Sequence, residues 1–336
     1  MRRGKISENI IQRSVLKAIK YKDREYFCTH SSIGNDATVT RKSESVISVA
    51  NAGLMFEFEN WTDNPLFYFD IKRGFHAALN NVLAEGGMPK GVIIDLILPH
   101  KAIEQDIKKI MGFIGGLAKD ARVEITGGDT EVTVNVLSPV VVITAIGGRM
   151  EATGEVNIHA DMDIVMAGYA GVSGSVAAAY MNSGYINERF SRSYSELIFG
   201  QQEYMDISGA AVNAWKYGVR TMHDVGRGGV YAALFELSLK TGFGVKAELG
   251  DIPIHQETVE VCELFDLNPY KLMSDGGLLM VAENGDDLCE CLSGKGIEAV
   301  NIGKLTNNQE KAIVKNDETG FIEAPRGDEL YKLLGK

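Results

Sequence analysis

Asn64 to Pro99 reads NPLFYFDIKRGFHAALNNVLAEGGMPKGVIIDLILP, and its punctuation decides the class of fold. From Asp70 to Glu85 the apolar residues keep helical spacing. Asp70 is a good N-cap type, and the pair Gly86-Gly87 stops the helix. Val92 to Leu98 (VIIDLIL) is then a short, nearly continuous apolar run, the signature of a buried strand. Downstream, Ile103, Ile107, Ile110, Ile114 and Leu117 repeat at helical intervals, so one stripe faces a sheet. Pro139 to Ile146 (PVVVITAI) is β-branched and reads as another buried strand. Upstream, Val46 to Ala50 reads as a strand and Asn9 to Lys20 as a short helix.

The same alternation continues beyond a weak boundary at Gly147-Gly148 and Gly154. Asp163 to Gly168 is a strand into a glycine-rich turn, Ser208 to Tyr217 is helical, and Gly228 to Lys240 is amphipathic. Gly276 to Ala282 and Ala299 to Ile302 are further strands. Strands alternating with helices through short glycine turns give an α/β (α+β) protein in two domains, residues 1–150 and 151–336.

The 336 residues are 45% hydrophobic and 24% charged, with a formal net charge of −11. Each half has enough apolar residues for its own core. The acidic balance, without a long basic run, excludes nucleic acid as a partner. A small phosphorylated ligand stays compatible with it, because backbone N–H groups hold anions locally. No apolar run reaches the ~18 residues of a membrane span, and the basic N-terminus has no apolar core of a secretory signal, so the expectation is a cytoplasmic protein. Cys28, Cys262, Cys289 and Cys291 read as reduced, idle thiols; the Cys-Glu-Cys pair has no second pair to complete a zinc site. The histidines are scattered, and no serine nucleophile elbow is present.

Four segments carry candidate chemistry. In ITGGDTEV (Ile125–Val132), Gly127 and Gly128 leave room for a ligand beside the backbone. Asp129 offers a hard carboxylate suited to magnesium on a nucleotide's phosphates, and Thr130 a hydroxyl; a plain loop before a strand is the alternative. In IGNDATVT (Ile33–Thr40), Asp36 is a second magnesium carboxylate, or part of a local turn with Asn35. In HDVGRGGVYAALFELS (His223–Ser238), Gly226, Gly228 and Gly229 precede a helix whose free N–H groups face an anion. There Arg227 adds a charge-assisted contact, Asp224 holds a metal or orients a base, and the alternative is a tight turn that docks the helix. GYAGVSGSVAAAY (Gly168–Tyr180) opens a helix from a glycine loop but lacks the phosphate-loop spacing.

Taken in chain order, IGNDATV, the Asn64–Pro99 stretch, TGGDTEV, DIVMAGYAGVSG and MHDVGRGGVYAALFELS resemble the AIR-synthase (PurM-like) superfamily. The stretch TGFGVKAELGDIPIHQETVEVCELFDLNPYKLMSDGGLLMVAE is similar to its HypE branch of hydrogenase maturation factors. The resemblance spans roughly residues 30 to 305. It implies an N-terminal sheet domain that pairs in a homodimer, a C-terminal α/β domain, and ATP with Mg2+ near their junction. It implies phosphoryl transfer from ATP to an amide-type or other small acceptor. Asp36 and Asp129 match metal or phosphate aspartates, Asn81 matches the asparagine of an N-D-L-A segment, and Asp224, Arg227 and Gly228 match an R-D-P-T-R-G-G segment. The resemblance implies an aspartate of the superfamily where Val82 stands and another near Asn51, and an aspartate of HypE-like sequences where Val172 stands. The HypE branch ends in a cysteine that accepts a carbamoyl group, whereas this chain ends GDELYKLLGK. Two alternatives accompany this reading: a non-catalytic dimer that has lost the metal cluster, and a kinase resembling thiamine-monophosphate kinase.

Overall fold

The computed structural model describes residues 12–13, 16–18, 35–40, 45–52, 61–151, 157–316, 318–325 and 327–334. Two sheets organise it. The first contains β1 (Thr38–Val39), β2 (Ser45–Ala52), β3 (Gly87–Pro99), β4 (Glu124–Thr133) and β5 (Val140–Arg149), in the order β1-β2-β5-β3-β4. All neighbours are antiparallel except β3 and β4. The second contains β6 (Asp163–Ala167), β7 (Thr221–Val225), β8 (Gly244–Glu248), β9 (Gly277–Ala282), β10 (Ala299–Thr306), β11 (Lys311–Lys315) and β12 (Glu318–Phe321), in the order β12-β11-β8-β10-β6-β9-β7. The expected helix at Asn9–Lys20 falls mostly outside the described residues, within which Leu16–Ala18 is a single 3-10 turn.

Helices α1 (Pro65–Ala84) and α2 (Glu104–Asp120) cover one face of the first sheet. Helix α1 starts earlier than its Asp70 suggested. Asn64 is the cap, its side chain accepting from Leu66 N at 3.0 Å, and Pro65 fills the first turn, where no N–H is needed. Asp70 lies mid-helix instead. At the other end Gly86 takes φ +75, and a Cβ there would stand 2.3 Å from the Trp215 ring, so both backbone and packing demand glycine.

The second half adds α3 (Val172–Met181), α4 (Ser183–Arg189), α5 (Arg192–Gly200), α6 (Ser208–Tyr217), α7 (Gly229–Thr241), α8 (Gln256–Phe265) and α9 (Gly285–Ser293). One apolar cluster joins Phe67, Ile71, Phe75 and Leu79 of α1 to Val176 and Ala179 of α3, Ile198 of α5 and Val261 of α8. The two halves therefore share a core rather than touching through a wet seam. The other face of the first sheet is different. Ile93, Ile97, Val140, Val142 and Ile146 remain half-buried there, and Val132 and Val134 are exposed at the β4 edge.

Candidate functional site

The junction between the halves is lined by charges removed from water. His223 lies on β7 and is 2% exposed. Its Nδ1 meets the Asp36 carboxylate at 2.9 Å and its Nε2 meets Glu236 of α7 at 3.1 Å. Lys240, one turn further along α7, donates to Glu85 at 2.5 Å, to Asp36 at 3.3 Å and to the Met222 carbonyl at 2.8 Å. Burial alone would strip His223 of its proton, but Asp36 and Glu236 reverse that and push it up to about 10, so it is a cation at neutral pH. Burial likewise opposes the charge on Asp36, and His223 and Lys240 more than offset it, holding that carboxyl below the usual range. Glu85 goes the other way, raised by burial despite Lys240.

A second buried group adjoins the first. Arg73 of α1, 3% exposed, donates to Asp70 at 2.7 Å and stands 3.6 Å from Asp275. Asp275 also accepts from Ser173 Oγ at 2.5 Å. Burial, then the negative Asp275 and Asp36, drive the Asp224 carboxyl well above the usual carboxylate range; His223 and an Asn80 hydrogen bond only partly counter this. Burial and the neighbouring carboxylates therefore favour the protonated form of Asp224 over the ionised one. Two polar atoms here lack hydrogen-bond partners, Asp224 Oδ1 and Arg73 Nη2. Such orphans mark a place where a ligand or water completes the arrangement.

The expected site residues divide. Asp36 and Asp224 do meet at the junction. Gly127, Gly128, Asp129 and Thr130 do not form a turn; they lie within strand β4, exposed, with Asp129 accepting only from Thr130 N at 2.8 Å. A Cβ at Gly127 would meet only open space, so that backbone is accessible. Because β1 and β4 are opposite edges of the first sheet, Asp36 and Asp129 are separated by four strand spacings, about 19 Å. With Asp36 also held by two cations, one chain does not gather these carboxylates on a magnesium ion. Among the described residues no group of three His, Cys, Asp or Glu side chains is placed to hold a metal. Asn51 pairs with Val142 in the ladder; its side chain lies outside the described atoms.

Val82 is fully buried against the first sheet and packs in its core. Its polar neighbour is Asn80, whose amide donates to the Met205 carbonyl at 2.8 Å and whose Oδ1 accepts from Ile207 N at 3.4 Å. Asn81 is half-buried beside it. Val172 begins α3, also buried. Sequence reasoning missed Arg73, Asn80 and Asp275. The available signal was polar residues on the apolar stripe of α1, and a Ser-Asp-Gly-Gly run leading into a strand.

Gly226, Arg227 and Gly228 form the turn before α7, as expected. Gly228 takes φ +85 and aims its N–H away from the helix. That N–H is already engaged: it donates to Asp328 Oδ2 of the chain's own C-terminal segment at 2.7 Å. Arg227 makes no ion pair among the described residues. Burial pushes the Cys262 thiol up to about 12 and raises Cys289, so neither is a nucleophile at neutral pH.

Two sheet domains with a charged junction and an exposed Gly-Gly-Asp-Thr strand define a protein of the AIR synthase class. Residues 71–148 match the N-terminal domain, and residues 161–316 the C-terminal domain, of AIR synthase related proteins, and the chain belongs to that family. It is 25% identical over 344 aligned positions to a hydrogenase expression/formation protein of Methanocaldococcus jannaschii, covering 98% of this chain and 97% of that one. It is 27% identical to the carbamoyl dehydratase HypE of Cupriavidus necator, over 76% of this chain and 74% of the other. Among solved structures it superposes on a chain of a HypE–HypF complex with a TM-score of 0.73 at 19% identity, covering 94% and 99% of the two chains. It also superposes on a HypE bound to ATP with a TM-score of 0.64 at 15% identity, covering 85% and 86%. No described helix is long and apolar enough to cross a membrane.

Proposed function

We propose that this chain is an ATP-dependent maturation factor of the HypE kind, which activates an amide-type oxygen by phosphoryl transfer. The observation that carries the proposal is the end-to-end match, both domains included, to a hydrogenase expression/formation protein. The phosphates are assigned to the α7 start, with Gly228 and Arg227, and to the exposed backbone of Gly127, Gly128 and Thr130. Asn51 and Asn81 contribute hydrogen bonds and Asp129 a carboxylate, brought in from the edge strand. ATP itself supplies the phosphoryl group. The chain's own residues position it, and Asp224 holds a proton beside the acceptor. Magnesium would have to arrive with the nucleotide, and no step is built on a preformed metal site.

The half-buried apolar face of the first sheet and the exposed Val132 and Val134 support a homodimer closed over that face. The acceptor is a group on a small molecule or on a protein partner. These roles place the protein in the cytoplasm. Isothermal titration with ATP and Mg2+, followed by ADP release, tests the reading. Binding lost in Asp129→Asn supports it, and no binding at millimolar ATP rejects it. The second reading, a binding scaffold without turnover, is favoured by the ion pairs that occupy Asp36; ADP release that depends on Asp224 would exclude it.

A further inference from the structure

We propose that a cavity beside α1, between the two halves of the chain, binds a small organic cation: one ammonium group carried on an apolar body. None of the residues assigned to the nucleotide takes part.

The cavity holds about 340 Å³. Small-molecule sites start at about 300 Å³ and favour such junctions. The N-terminal half gives it an apolar floor: Leu79 and Leu83 of α1, Pro89 of β3 and Leu117 of α2. Helical spacing puts Lys72 and His76 on the same face of α1 as these two leucines. The C-terminal half supplies Glu203 and Asp206. Lys72 crosses from one half to the other and donates to Glu203 at 2.7 Å.

Two independent observations point to a ligand and to its charge. The first is His76, which lines the cavity while its imidazole makes no hydrogen bond among the described residues. Burial holds this ring below its usual range; Asp206 is the strongest opposing influence, and Lys72 adds to the lowering. A neutral imidazole offers one accepting nitrogen and one N–H donor. The second is the sign of the wall. Asp120, Glu203 and Asp206 stand against one cation, Lys72, and Glu203 already engages it. Asp206 accepts from Ser208 N at 2.7 Å and from Ser208 Oγ at 2.9 Å, which fixes its carboxylate at the start of α6.

An anion in this cavity would meet like charge. A plain hydrocarbon would cover the leucines and leave the imidazole unpaired. Among the described residues no group of three His, Cys, Asp or Glu side chains is placed to hold a metal, so the cation is organic. Its ammonium donates to His76 and to the carboxylates, and its apolar body covers Leu79, Leu83 and Leu117. Such a ligand touches both halves at once. Asn80, one turn along α1 from His76, already bonds Met205 and Ile207 on either side of Asp206. An occupied cavity therefore braces the same junction.

The test uses the full chain and 2-phenylethylammonium as the probe, with 3-phenylpropionate as an anion of similar length. Isothermal titration should give the amine a Kd of roughly millimolar or lower. Asp206→Asn keeps an oxygen for the Ser208 amide and should weaken the amine at least about threefold, the contribution of a surface charge. Ala121→Trp fills the cavity from an exposed position and should abolish binding. In the wild type, which requires no variant to fold, the amine should shift the His76 ring resonances and the carboxylate should leave them in place. No binding of the amine, equal binding of the carboxylate, or unmoved His76 resonances overturns the site. So does an affinity unchanged in Asp206→Asn or in Ala121→Trp.

Discussion

Replacing His223 by glutamine tests the charge network at the junction most directly. The imidazolium is 2% exposed, between Asp36 at 2.9 Å and Glu236 at 3.1 Å. Raising its proton affinity from an ordinary 6.5 to about 10 corresponds to about 5 kcal/mol at the upper limit. The sign follows from linkage. A group whose folded value is raised stabilises fully below its unfolded value and loses that contribution as pH climbs to the folded one. Stability should therefore fall between about pH 6.5 and 10, with a limiting slope of about 1.4 kcal/mol per pH unit from this residue. Glutamine is uncharged and takes away the buried cation that faces both carboxylates, so His223→Gln should cost about 3–5 kcal/mol at pH 6.5. By pH 9.5 the difference should shrink to about 1 kcal/mol, since the wild type has surrendered much of its own advantage. Adding Glu236→Gln to the variant should recover part of the loss. Urea unfolding followed by circular dichroism at pH 6.5, 8.0 and 9.5 provides the measurement. A variant within about 1 kcal/mol of wild type at pH 6.5, or parallel pH slopes in the two proteins, refutes the assignment of a buried imidazolium.

Other outcomes are equally specific. Asp224→Asn should leave the unfolding free energy within about 1 kcal/mol of wild type, because burial and the nearby carboxylates favour the protonated carboxyl, which an amide resembles, while ADP release falls at least about a hundredfold, the low end of a proton donor's worth. A large loss of stability instead would mean that Asp224 is ionised. Val82→Asp places a carboxylate in a fully buried position and should cost at least about 4 kcal/mol; tighter magnesium binding by a folded Val82→Asp protein would show that the position is a ligand site after all. Ile97→Asp, on the open face of the first sheet, should convert a dimer to a monomer in light scattering after size exclusion, and an unchanged mass would remove that face from the interface.

What was legible in the sequence was what local chemistry dictates. The stripe Ile103, Ile107, Ile110, Ile114 gave α2, and Gly86 gave the end of α1, because periodicity and a left-handed turn are properties of neighbours in the chain. The start of α1 was misread because Asp70 has the chemistry of a cap; Asn64-Pro65 has it too, and the apolar residues Leu66, Phe67 and Phe69 between them belong to the helix. The strand character of Gly127 to Thr130 was hidden because an exposed edge strand shows no alternation, and glycine and aspartate are poor strand formers. The junction itself was illegible. Asp36 and His223 are 187 positions apart, and nothing in IGNDATV announces that its aspartate ends up between a histidine and a lysine.

The charge balance of the junction bears on which ligand belongs where. Arg73, His223 and Lys240 supply three buried cations. Asp36, Glu85, Glu236, Asp70 and Asp275 supply five carboxylates, while burial favours the protonated form of Asp224. Among the described residues the surplus is negative, and every one of those cations already faces a carboxylate. A triphosphate placed among them would add like charge in a poorly screened interior, where repulsion is strongest. The glycine turn before α7 has Arg227 unpaired among the described residues and Lys271 across the adjoining cavity, though Glu323 and Glu329 line that cavity too. The buried charges of the junction thus disfavour a triphosphate among them, which is what the proposed placement of phosphates at the α7 start draws on. The buried side, where Arg73 Nη2 lacks a partner among the described residues and burial favours the protonated Asp224, suits an uncharged group that both accepts and donates hydrogen bonds. A carboxamide meets that description, and a carboxylate or a phosphate monoester does not. Competition by acetamide, but not by acetate, against the acceptor in the ADP-release assay would distinguish these alternatives, and the opposite order would place the acceptor elsewhere.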